Sequence, residues 1–281
     1  MRRRISEYIF VGLAAMATAV VAASLIAILG SITIKGLPAL NLSMITQIPK
    51  GGYYLGGGGG IANAIVGSLY IGLGATALAF IISLPTCLYM RVYLVKSRFT
   101  SWIRMSLDVL WGVPSIVFGA FGFTIMVYLG LRASLLAGII TVALFELPIM
   151  IRAMDEVLTM VPRELENAAY VLGATRFEAA AKVVFRQALP GLVTGVLLAF
   201  GRGIGDAASV LFTAGFTDNI PTTLSQPAAT LPLAIFFQLG TPFEEVHQRA
   251  YASALILTII VLLTSIVARL VAARFAKHTW R

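Results

Sequence analysis

Six stretches, each long enough to cross a bilayer and almost free of charge, recur along this chain, and no water-soluble core could hold them all. They run between Glu7 and Lys35, from Ile61 to Leu88, from just after Asp108 to Leu129, from Ala133 to Ile151, from Pro190 to Gly215 and from Ala250 to Ala273. The fourth contains one charge, Glu146, and the fifth contains two, Arg202 and Asp206. A spanning helix needs about 20 apolar residues, so 281 residues with connecting loops hold roughly six to eight spans. Only 12% of the residues are charged, against about 25% in a soluble domain, which excludes a soluble globule. Arg2, Arg3 and Arg4 precede the first stretch, and Ala17-Thr18-Ala19 mimics a signal cleavage site. The apolar run nevertheless continues to Ile34, beyond a signal-peptide core, and is read as a retained span. A further uncharged stretch, Asn219 to Phe243, carries Pro221, Pro227, Pro232 and Pro242. Prolines at that density break a helix, so the segment is expected to be an external loop with room to re-enter the membrane.

Six spans place both termini on one side, and the basic residues test that placement. Sixteen of the 21 Lys and Arg fall on the side of the termini: Arg2–Arg4, the Arg91–Arg104 loop, the Arg152–Arg186 loop and the tail from Arg269. Lys35, Lys50, Arg132 and Arg249 fall on the other side, and Arg202 lies within the membrane. Basic residues accumulate in cytoplasmic loops, so both termini are expected in the cytoplasm. The net charge of +9 is then mainly a topology signal, and no nucleic-acid partner is expected. Cys87, the sole cysteine, excludes an internal disulfide.

The longest cytoplasmic segment, 152–189, has helical spacing. Pro162 and Glu164 suit a first turn, Ala168, Ala169 and Leu172 share one side, and Gly173 ends the helix. Thr175-Arg176-Phe177-Glu178 then has capping-box spacing and starts a second helix with Phe177, Ala181, Val184 and Phe185. Two short amphipathic helices joined at Gly173 suit either lipid headgroups or a soluble partner.

Asn167-Ala168-Ala169-Tyr170-Val171-Leu172-Gly173-Ala174 resembles the "EAA" loop of ABC importer permeases, with Asn167 where the family has Glu and Glu166 adjacent. Gly112-Val113-Pro114-Ser115-Ile116-Val117-Phe118-Gly119, the segment Gly205-Asp206 through Leu211-Phe212-Thr213-Ala214, and the run Leu231 to Glu245 are similar to phosphate-importer permeases of the PstA type. Asp206 stands where that family has Glu, and Ala207 and Ser209 where it has Thr and Pro. The resemblance implies an all-α membrane protein with six transmembrane helices, of the type I ABC importer permease fold. Residues 1–55 would form the first helix and an external loop, and residues 56–281 a five-helix permease core. It also implies that Glu164, Glu166, Asn167, Ala168, Ala169, Gly173 and Ala174 couple to an ATPase. The implied partners are a PstC-like second permease, a PstB-like ATP-binding dimer that carries the ATP-Mg, and a PstS-like extracytoplasmic phosphate-binding protein, all at the bacterial inner membrane. The chain itself would bind no cofactor and catalyse no reaction.

A charge at bilayer depth costs about 3 kcal/mol on insertion scales, so the membrane charges need a reason. Arg202 and Asp206 are four apart, and on a helix they share a face and can pair. Gly201, Gly203 and Gly205 alternate around them and allow another helix to approach. The pair either locks two helices or lines a substrate pathway, with Arg202 attracting an oxyanion and Asp206 preventing a trap. Glu146 is expected to pair with Arg202 or Arg152, or to cap a broken helix. Asp108 suits the start of the third span, and Pro114 and Pro148 are expected to kink their helices. Ser115, Ser209 and Thr213 are candidate pathway hydroxyls or bond their own backbone. Gly56–Gly60 lacks the Lys and Ser/Thr of a phosphate-binding loop and reads as a flexible lead into the second span. His247 and His278 are isolated, and no metal site is expected. Two other functions suit these residues. One is a permease for molybdate, tungstate or sulfate. The other is a proton-coupled transporter using Glu146 and Asp206 as a relay.

Overall fold

The computed structural model describes residues 2–94 and 97–276. Lys96, Lys277, His278 and Arg281, all used in the sequence reading, lie outside the described residues. The chain is built of helices: α1 (Arg2–Gly36), the short α2 (Leu42–Thr46), α3 (Ala62–Val92), α4 (Arg98–Trp111), α5 (Ser115–Tyr128), α6 (Leu135–Met160) and α7 (Arg163–Val171). There follow α8 (Arg176–Glu178), a π-helical turn Ala179–Val184 and α9 (Phe185–Ile204), then α10 (Leu231–Leu239) and α11 (Glu244–Ala276). Five helical runs are long and apolar enough to cross a membrane, Glu7–Ala39, Ala62–Val92, Leu135–Thr159, Arg176–Ile204 and Glu244–Arg274, and the bent pair Arg98–Trp111 with Ser115–Tyr128, taken as one broken span, makes the sixth.

The centre is a triad. α3 packs along α6, and α9 packs on both. Small residues set the spacing, because lipid offers apolar side chains no reason to leave it and close backbone approach must supply the attraction. Gly72 faces Phe200 and Ile204 of α9, Gly74 faces Ile139 of α6, and Gly195 faces Ala153. Cys87, Phe145, Ile149, Met150, Met154, Leu158, Val184 and Leu192 fill the core between them. By contrast, α1 touches little but α11 and has no buried residue in its most apolar window.

The third span departs from expectation. A single helix from Asp108 to Leu129 is replaced by α4 and α5, which meet at 99° across Gly112-Val113-Pro114. Pro114 lacks an amide for the helix ladder and pushes Val113 out of helical space. α5 alone is 14 residues, about 21 Å, short of the roughly 30 Å hydrocarbon core. Asp108 therefore lies in the last turn of α4 rather than at the start of a span, and it accepts from Arg152 at 2.8 Å. Pro148, like Pro85 and Pro190, sits inside an unbroken helix.

Three further boundaries differ. α6 continues past Ile151 to Met160, and the second helix of the 152–189 segment is not free-standing. Arg176–Ile204 is one helical run of 29 residues, with Pro190 within it. After Ile204 the fifth span ends, and an irregular segment extends to Thr230. Irregular backbone at membrane depth must find partners inside the protein. It does: the first amides of α6, which no helix can satisfy, donate to it. Ser134 donates to the Thr213 carbonyl at 2.9 Å, Leu135 to Gln226 at 2.7 Å and Leu136 to Leu224 at 2.9 Å. The proline-rich stretch then ends in α10, whose Leu231, Pro232, Leu233, Ala234 and Gln238 are buried. Pro232 occupies the first turn, where its missing amide costs nothing.

The Gly56–Gly60 run is an ordered turn and not a flexible lead. Gly56 and Gly59 have φ of +94° and +114°, conformations that favour glycine. The Arg249 guanidinium of α11 donates to the carbonyls of Tyr53, Gly56 and Gly57 at 2.8, 3.2 and 2.7 Å and lies over the Tyr53 ring.

Candidate functional site

Two regions carry the candidate residues, one at each end of the Arg176–Ile204 run. At the far end, α9 and α11 leave between them an open cleft of about 680 Å³, bordered by Thr194, Leu198, Gly201, Arg202, Ser265 and Arg269. Arg202 is exposed to this cleft, with its guanidinium 5.3 Å from the centre of the Phe145 ring. It makes no ion pair among the described residues.

The expected Arg202–Asp206 pair does not form. Four-residue spacing aligns side chains only while a helix lasts, and this one stops at Ile204 with Gly205 as its cap. Asp206 instead caps the next turn, its Oδ2 accepting from the Ser209 amide at 2.7 Å. Glu146 reaches neither Arg202 nor Arg152. It is fully buried on α6; Oε2 accepts from the Thr76 hydroxyl of α3 at 3.0 Å, and Oε1 has no partner among the described residues. Gly203 lies directly over that carboxyl, and any β-carbon there would strike Glu146 Oε1. Arg152 is occupied by Asp108, Asp155 and Glu156.

Asp206, Ser209 and Thr213 come together in the turn after α9. Ser209 and Thr213 are buried; the Thr213 hydroxyl donates to the Ser209 carbonyl at 3.1 Å, while Ser209 Oγ has no partner among the described residues. Ser115 begins α5, half-buried. α5 reaches this turn through Gly119, where a β-carbon would sit 2.7 Å from the Ala208 carbonyl.

The second region is the α7–α8 hairpin. α7 ends at Val171, and Gly173 turns the chain with φ of +84°. The capping box forms in full: Glu178 Oε2 accepts from the Thr175 amide at 3.1 Å, and Thr175 Oγ1 accepts from the Glu178 amide at 3.2 Å. The hairpin tip is apolar and bare, with Val171 87% exposed, Leu172 88% and Phe177 71%. Glu164, Asn167, Ala168 and Gly173 are exposed on it, and Ala169 and Ala174 are half-buried.

Glu166 points the other way. Its carboxylate pairs with Arg91 at 3.2 Å, both side chains being less than a tenth exposed, and accepts from the Tyr170 hydroxyl at 2.9 Å. Burial, reinforced by Glu166, holds the Tyr170 phenol above its ordinary range. Arg91 also donates to the carbonyls of Leu158 and Val161 at 3.1 Å each. One guanidinium therefore joins the end of α3, the end of α6 and α7. Sequence reading placed Arg91 among the topology charges; its position in the last turn of an otherwise uncharged span was the available signal.

The family model of binding-protein-dependent transport system inner membrane components matches residues 83–281. The chain is 36% identical over 254 residues to the phosphate transport system permease protein PstA of Yersinia pestis, covering 90% of this chain and 85% of that one. It is 33% identical over 243 residues to the PstA of Haemophilus influenzae, covering 86% and 85%. It is 30% identical over 250 residues to a probable ABC transporter permease, YqgI, of Bacillus subtilis, covering 84% of each. The inward-facing MetNI methionine ABC transporter superposes with a TM-score of 0.62 at 18% identity, over 76% of this chain and 95% of that chain, which establishes the shared permease fold.

Proposed function

Because the chain belongs to the family of binding-protein-dependent transport system inner membrane components, we propose that it conducts inorganic phosphate as one half of an ATP-driven importer in the bacterial inner membrane. The observation that carries this reading is Arg202. A guanidinium on a membrane helix, facing an open cleft without an acidic partner among the described residues, is costly unless something else lines that cleft. A PstC-like second permease closing the cleft, with phosphate passing between the halves, supplies that partner. Guanidinium suits phosphate because its planar fork donates two parallel hydrogen bonds to an oxyanion.

The bare Val171-Leu172-Phe177 tip is the surface for a PstB-like ATPase, since exposed apolar clusters of this kind mark contact sites. Asn167, Ala168 and Glu164 flank it. The ATP-Mg belongs to that ATPase, and a PstS-like binding protein delivers phosphate on the opposite face. Arg176–Ile204 is about 43 Å long as a helix, so a push on the hairpin acts on the residues around Arg202 through one continuous helical run. The π-helical turn near its base adds a point of adjustment. In this reading Glu166 positions α7 on Arg91 and does not touch the ATPase. Both termini lie in the cytoplasm, on the side of the hairpin.

The test is saturable phosphate uptake at low external phosphate, in cells with and without the chain, with all partners present and sulfate and molybdate as competitors. Loss of uptake without the chain, untouched by the competitors, supports the reading. Unchanged phosphate uptake, or competition by molybdate or sulfate, moves the assignment to another oxyanion. Arg202→Ala should abolish uptake while the partner permease still co-purifies. Loss of that partner instead would make Arg202 an assembly residue.

A further inference from the structure

At the hairpin end of the molecule, a cavity of about 300 Å³ opens where the end of α3, the start of α4, the end of α6 and the start of α7 meet. Its wall carries four arginines, Arg91, Arg98, Arg104 and Arg163. Their hydrogen bonds divide them. Arg91 is spent on Glu166 and on two carbonyls. Arg104 turns one edge to Asp155, Nε at 2.7 Å and Nη2 at 3.1 Å, which leaves Nη1 unused among the described residues. Arg98 and Arg163 are exposed and have no acidic partner among the described residues. Ser101 adds a hydroxyl, and the cavity lies at the first turn of the 14-residue α4, whose amide ends favour an anion.

We propose that this cavity binds a phosphoryl group, with Arg98 and Arg163 as its principal donors and Arg104 Nη1 and the Ser101 hydroxyl beside them. Two uncompensated guanidinia facing one concave space repel each other, and a tetrahedral oxyanion between them removes that repulsion while accepting several charge-assisted bonds. Single-sign exposed charge alone would be satisfied by water. The convergence of four helix ends on one concave space, with Arg104 held in place by Asp155, is what makes a site of it. The chemistry is shared by two sources, inorganic phosphate and the headgroup of an anionic phospholipid. Occupancy would tie α4, the bent partner of α5, to Arg163, the first residue of α7, and so would restrain the hairpin. The site is distinct from Arg202 and does not depend on which oxyanion the permease carries.

The assembled transporter is prepared in nanodiscs of phosphatidylcholine alone and of phosphatidylcholine with phosphatidylglycerol. Calorimetric titration with inorganic phosphate in the first, and native mass spectrometry of retained phosphatidylglycerol from the second, compare wild type with the Arg98→Gln/Arg163→Gln double variant. The Arg98→Lys variant retains charge and serves as the folded reference. A phosphate affinity at least tenfold weaker in the double variant identifies free phosphate as the ligand. Loss of one retained phosphatidylglycerol, with phosphate binding unchanged, identifies lipid. If both probes bind the double variant and the wild type equally, or neither probe binds, the proposal is overturned. Co-purification of the partner subunits with the double variant separates a lost site from a lost fold.

Discussion

The α3–α6–α9 triad and the outer helices α1 and α11 are all apolar, yet they are apolar for opposite reasons. The most apolar window of α6 is 61% buried, and that of α1 is 0% buried and that of α11 6%. The more strongly apolar helices are the outer ones, the reverse of a soluble protein, because lipid and not the core is the better apolar solvent here. What distinguishes the triad is small and polar residues: Gly72, Gly74, Gly195 and Gly203 at the crossings, and Thr76, Glu146, Arg91 and Glu166 between the helices. In this fold hydropathy reports contact with lipid, and departures from hydropathy report packing.

Substitutions that break the triad but spare the periphery test this contrast. The largest effect is expected from Glu166→Ala, which strands Arg91 as a buried, unpaired charge at a cost of about 3–5 kcal/mol. Thermal unfolding of the full chain in detergent should record it, and a loss below 1 kcal/mol would mean that water reaches Arg91. Gly203→Ala forces a methyl against Glu146 and should cost about 1–3 kcal/mol in the same assay. Thr76→Val removes the hydroxyl that Glu146 accepts from, an expected loss of about 1 kcal/mol. Leu172→Asp should leave the unfolding midpoint of the isolated chain unchanged and abolish ATPase co-purification, since the residue is 88% exposed on its own subunit. At the small end, Gly12→Ala on α1, with open space around the added carbon, should leave stability unchanged or raise it by less than about 1 kcal/mol. A destabilising Gly12→Ala would show that α1 packs against something in the complex.

Spans were legible wherever a charge-free run coincided with a helix, as for α1, α3, α6 and α11. They were misplaced wherever a run of letters hid a break. Pro114 breaks its helix and Pro85, Pro148 and Pro190 do not. Gly112 caps α4 in ordinary helical space (φ −77°, ψ −11°), and the chain leaves the helix at Val113-Pro114, a choice that composition does not display. The hairpin was readable because its signals are local: Gly173 and the Thr175–Glu178 box act over four residues. The membrane charges were not, because their partners are distant in sequence. Thr76 and Glu146 lie 70 residues apart, and Arg91 and Glu166 are separated by the whole of α4, α5 and α6. The supposed Arg202–Asp206 pair failed on one hidden assumption, that the helix continued past Ile204.

The clamp of Arg249 on the glycine turn bears on how such a molecule can open. With one guanidinium fixed to three carbonyls, the loop before α3 and the first turns of α11 behave as a single plate. In the proposed pairing of two permeases such a plate turns as one piece, and the cleft beside Arg202, bordered by α9 and α11, is where the two subunits would part.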